Sequence, residues 1–203
     1  MNDSAQTSRN TRFDGVQLIA AMVALMWLAE GIDVVVGGDL DGLGIEPREP
    51  DGLAGIVAAP FLHAGFGHLI ANTVPFAVMG AVIAINGIRR VLIVSAIVAL
   101  VSGLGTWLIG PENTVHIGAS GIVFGFATYL LARGFFNRNM PDLAIGAAVA
   151  LLFGGALLGG MLPEQGISWQ SHVFGALGGL LAAQYLAKAA GRSEGGRTSP
   201  AAG

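Results

Sequence analysis

Six apolar stretches of roughly 18 to 24 residues, each about as long as a helix needs to cross a bilayer, constrain this chain more than any other feature. They cover residues 16–36, 66–87, 91–110, 117–134, 143–161 and 171–189. Strands are excluded as spanning elements, because an open sheet edge finds no water in lipid and the alternation of a barrel is absent. The expected fold class is therefore an all-α membrane protein, a bundle of six transmembrane helices. Composition agrees: 53% hydrophobic and 11% charged residues are too apolar for a soluble domain of this length. The 32 glycines allow spanning helices to approach closely. With no Cys, the chain can form neither a disulfide nor a thiolate metal site, and it lacks a thiol nucleophile. No basic run marks a nucleic-acid partner, and the lipid bilayer is the expected surrounding.

Residues 1–15 form a polar leader, 16–190 the helical domain and 191–203 a polar, low-complexity tail expected to be disordered. The first stretch is long and has no clear small-x-small cleavage site, so it reads as a retained span. Arg9, Arg12, Arg89, Arg90, Arg133, Arg138, Lys188, Arg192 and Arg197 fall on one side of the six-span arrangement, and Arg48 alone on the other. This bias predicts a multi-pass cell-membrane protein with both termini cytoplasmic. The longest connection, 37–58, reads as a structured external loop. Trp27, Trp107 and Trp169 read as interface anchors, and Glu30 and Asp33 as solvated or paired with the loop. Oligomeric state is left open.

Polar residues gather where the second, fourth and sixth segments open, which this orientation places at the outer face. These openings are FLHAGFGHLIAN (61–72), HIGASG (116–121) and WQSHVFGALGG (169–179). They hold all four His residues, together with Asn72 and Ser120. Polar groups within spans are unfavourable and face a partner or a wet cavity, so one site just below the outer surface is expected. His68 and Asn72, four apart, share a helix face. Gly121 and Gly125 in the fourth segment, and Gly175 and Gly179 in the sixth, let those two helices pack backbone to backbone. Ser120 and His172 then come within hydrogen-bond reach, as a nucleophile and its base require. No carboxylate in these openings has a depth suited to orient His172, so the expectation is a dyad. Phe124, one turn below Ser120, can hold the imidazole by stacking. His68, Asn72 and the Ser120 N–H can donate to an oxyanion. His116 is a rival base, and His63 is expected to be structural, holding the first loop.

His63, His68 and Asn72, the run Gly118-Ala119-Ser120-Gly121, and His172 followed by Gly175 and Gly179 together resemble the rhomboid proteases. The resemblance covers about 16–189, with the motifs in the same order and span positions. It implies acyl transfer from Ser120 with His172 as base, no metal or organic cofactor, and an oxyanion site of His68 and Asn72. It also implies single-span membrane proteins as substrates, cut near the outer end of their helix, with the fifth span as lateral gate and 162–170 as cap. Phe124 stands where a well-known member has Tyr, and the first external loop lacks the Trp that some members carry. Two other readings stay open: a catalytically silent rhomboid-like protein that binds membrane clients, and a small transporter.

Overall fold

Long apolar runs must satisfy their backbone internally in lipid, and here they do so as helices. The structure is a computed structural model that describes residues 2–164 and 166–195. Its helices are α1 (Asn2–Val36), α2 (Gly55–Ala58), α3 (Phe66–Ala84), α4 (Ile88–Ile109), α5 (Ser120–Asn137), α6 (Met140–Gly160) and α7 (Trp169–Gly195). Three short 3₁₀ turns add to the connection between α1 and α3. No strand occurs among the described residues; Ile45 and His116 form one isolated antiparallel bridge. The chain is thus a multi-pass helical membrane protein.

Arg9–Val36, α3, α4, α6 and Trp169–Arg192 are each long and apolar enough to cross a membrane. The sixth long helix, α5, is less apolar for a physical reason. It packs against α3, α4, α6 and α7 and is buried along most of its length, so protein rather than lipid surrounds it. The core runs through Phe76, Met79 and Ile83 of α3, Val91, Val94 and Val98 of α4, and Ile122, Phe126 and Leu130 of α5.

The ends differ from the sequence boundaries. α1 runs back to Asn2 through the polar leader, since no Pro interrupts it there. α7 continues past Gly191 to Gly195, with Arg192 in its last turn beside the negative end of the helix dipole. The rest of the expected disordered tail, 196–203, lies outside the described residues.

α5 and α7 meet through their glycines. A Cβ on Gly175 would strike the Gly121 carbonyl, and one on Gly179 the Gly125 carbonyl, so the two backbones touch. At the other end of α5, Arg133 is buried and ion-paired with Asp142 of α6, which also accepts from Asn137 Nδ2 at 3.1 Å. α6 is otherwise the least buried of the five apolar helices, with Leu151, Leu152 and Leu158 exposed.

Of the two readings for Glu30, solvated is excluded, since it is 2% exposed; its Oε2 has no hydrogen-bond partner. Asp33 is loop-paired, accepting from the Leu40 N–H at 2.8 Å. The 37–58 connection is structured. Its Ile45 exchanges two backbone bonds with His116, and Trp107 Nε1 donates to the Glu49 carbonyl at 2.8 Å.

Candidate active site

Ser120 is the first residue of α5, and the turn before it is held on both sides. The Gly118 N–H donates to the Ala59 carbonyl at 2.8 Å, and the Ala119 N–H donates to His63 Nε2 at 3.4 Å. Gly118 has φ +112°, where an L side chain is strained, and a Cβ there would press on the His68 ring. His63 is 1% exposed, and burial together with neighbouring His68 pushes its pKa down to about 4. It stays neutral, with Nε2 free to accept. At the N-terminus of α5 the Ser120 N–H has no carbonyl one turn back and carries the positive end of the helix dipole.

His172, in the first turns of α7, is 7% exposed. Its Nε2 lies 2.8 Å from Ser120 Oγ, and its Nδ1 lies 2.5 Å from the Gly160 carbonyl at the end of α6. A carbonyl can only accept, so Nδ1 carries the proton and Nε2 accepts from the serine hydroxyl. Phe124 stacks on the imidazole with ring centroids 4.2 Å apart and planes inclined by 4°.

His68 and Asn72 face the same space from α3. His68 Nδ1 accepts from the Ala64 N–H at 3.4 Å, which leaves the proton on Nε2, the nitrogen nearest Gly118. Asn72 Nδ2 donates one hydrogen to the His68 carbonyl at 3.0 Å and keeps its second. Ser120, His172, His68, Asn72 and Phe124 all line one open cavity of about 900 Å³. Pro75, Val115, Phe153, Leu157 and Trp169 supply apolar wall, and Pro163, Glu164 and Ser168 the rim.

His116 also lines this cavity, but both its ring nitrogens are engaged elsewhere, with Thr114 Oγ1 at 3.0 Å and Ser168 Oγ at 2.8 Å. It joins the segment leading into Ser120 to the segment leading into α7. Two features of the site were not read from the sequence. One is the Gly160 carbonyl. The other is the Ser102–Ser171 contact of 3.0 Å, behind Gly121, that pins α4 to α7.

This arrangement sets an imidazole nitrogen against the Ser120 hydroxyl and hydrogen-bond donors beside it. Residues 50–189 match the family profile of the rhomboid domain. Proteins of Mycobacterium bovis and Mycobacterium tuberculosis, both named as uncharacterized, are 43% identical over 192 residues, covering 90% of this chain and 80% of theirs. A Bacillus subtilis protein named as a candidate rhomboid protease is 32% identical over 128 residues, covering 62% of this chain and 63% of its own. The chain belongs to the rhomboid family, a family of intramembrane serine proteases.

Proposed function

We propose that this chain is an active intramembrane serine endopeptidase with Ser120 as nucleophile and His172 as general base. The observation that carries the reading is the 2.8 Å approach of Ser120 Oγ to a His172 Nε2 that has no proton of its own. Ser120 Oγ attacks the scissile carbonyl as its proton passes to His172, and the imidazolium then returns that proton to the leaving amine. Water, activated by the same nitrogen, hydrolyses the acyl-enzyme. The Ser120 N–H, His68 Nε2–H and Asn72 Nδ2–H are the donors for the oxyanion. Phe124 holds the imidazole plane, and His63 and Gly118 hold the turn that delivers Ser120. The reaction as written uses side chains, backbone and water, and no metal or organic cofactor.

The substrates are single-span membrane proteins whose helix unwinds near its outer end, since a helical peptide bond is shielded from attack. The open cavity with its apolar wall suits such a segment. Entry is lateral, past α6, which is loosely packed along its outer half, with the segment around 162–170 as cap. The distribution of basic residues supports a cell-membrane protein with both termini cytoplasmic, which reporter fusions at each terminus would read directly.

The test is cleavage of a spanning-helix substrate by the purified chain in detergent. Wild type cuts near the outer end of the substrate helix, and Ser120→Ala does not. Cleavage that survives Ser120→Ala overturns the reading, and a wild-type chain that binds the substrate without cutting it favours a client-binding role.

A further inference from the structure

An imidazole base has two nitrogens, and the one turned away from the nucleophile sets the tautomer. In a Ser-His-Asp triad a carboxylate fills that place. Among the described residues no carboxylate is hydrogen-bonded to His172; its Nδ1 meets the Gly160 carbonyl at 2.5 Å. Gly160 is the last residue of α6, where carbonyls have no partner in the helical ladder and carry the negative end of the dipole. Such an acceptor fixes the neutral ring as the Nδ1–H tautomer and strengthens its bond when the ring becomes imidazolium. The approach depends on glycine. A Cβ on Gly160 would lie 2.9 Å from Phe124 Cζ and 3.2 Å from His172 Nδ1, whereas one on Gly159, Gly155 or Gly154 would meet nothing within 4 Å.

We infer that the Gly160 carbonyl is the positioning group for His172, holding the base by its Nδ1–H as a carboxylate does in a triad. The end of α6 thereby belongs to the catalytic apparatus as well as to the cavity wall. This rests on the reading of Ser120 and His172 as nucleophile and base. The other titratable groups of the cavity are His68 of α3, His116 before α5 and Glu164 after α6; Ser120 and Phe124 bring no charge to the ring.

The test is 15N-histidine NMR of the full chain in detergent at pH 8, with the His172 signal identified by its loss in His172→Gln. A single Nδ1–H tautomer is expected for wild type. Gly160→Ala is expected to lower kcat at least tenfold with KM unchanged. The acid limb of its pH–rate profile should move to lower pH, because the imidazolium has lost an acceptor. Gly159→Ala should leave kcat, KM and profile as they are. An Nε2–H or mixed tautomer in wild type overturns the inference, as does a Gly160→Ala enzyme with wild-type kcat and pH profile. Should Gly160→Ala not fold, the wild-type tautomer decides alone. A wrong tautomer with cleavage still dependent on Ser120 and His172 removes only this inference, whereas cleavage by Ser120→Ala removes the protease reading beneath it.

Discussion

His172 Nε2 stands 2.8 Å from Ser120 Oγ although 52 residues of chain separate them, and four glycines bring them together. A Cβ on Gly175 or Gly179 of α7 would fall on the Gly121 or Gly125 carbonyl of α5, one on Gly121 would meet the Ser102 and Ser171 hydroxyls, and one on Gly125 the Val98 side chain and the Gly175 carbonyl. No larger residue lets these helices approach closely enough for a serine and an imidazole to share a proton.

Alanine at these contacts is therefore costly. Gly175→Ala and Gly179→Ala should each destabilise the protein by about 1–3 kcal/mol or prevent folding, because the clash is with backbone that cannot turn aside. Gly154→Ala and Gly155→Ala on the open side of α6 should be neutral or stabilising, by up to about 1 kcal/mol. Thermal unfolding in detergent, compared across the four variants, checks the contrast.

Phe124 stacks on the His172 imidazole with its ring alone. Phe124→Tyr should keep activity within about twofold. Phe124→Ala gives up an aromatic contact worth about 0.5–1.5 kcal/mol, so kcat should fall by about two- to thirteenfold. Steady-state kinetics on one spanning-helix substrate distinguishes the two.

In the proposed reaction His68 and Asn72 are donors that act in the transition state. Removing either, as His68→Ala or Asn72→Ala, should lower kcat by about a hundredfold with little change in KM. A rise in KM alone would instead make them substrate-binding groups.

His63 sets a pH limit on stability. Its folded pKa of about 4 lies below the ordinary 6.5, so the unfolded chain takes up a proton in this range that the folded chain refuses. Stability should therefore be full above pH 6.5 and fall as the pH drops toward 4, by roughly 3 kcal/mol over the whole window. Unfolding measured between pH 7 and 4 should show this loss in wild type and a shallower one in His63→Gln.

Much of this was legible in the sequence because lipid leaves few options. Apolar length alone marks α1, α3, α4, α6 and α7, and the glycine spacing marks the α5–α7 contact. α5 is harder to bound, since a central helix wrapped by protein need not be uniformly apolar; its sequence segment, 117–134, is shifted from Ser120–Asn137. The Gly160 carbonyl was out of reach, because a backbone acceptor leaves no mark in residue type. Which of its two readings Glu30 would follow was hidden for a related reason. Its position near a span end suggests water, while the packing of α1 against the 37–58 connection and α3 buries it.

The most direct test of the central claim is to find where a fluorophosphonate probe attaches. Peptide mass spectrometry of the labelled wild-type chain should place the adduct on Ser120 alone, with none on nearby Ser102, Ser168 or Ser171. Labelling should vanish in Ser120→Ala and fall sharply in His172→Ala. An adduct on another serine, or labelling undiminished in Ser120→Ala, would contradict the account.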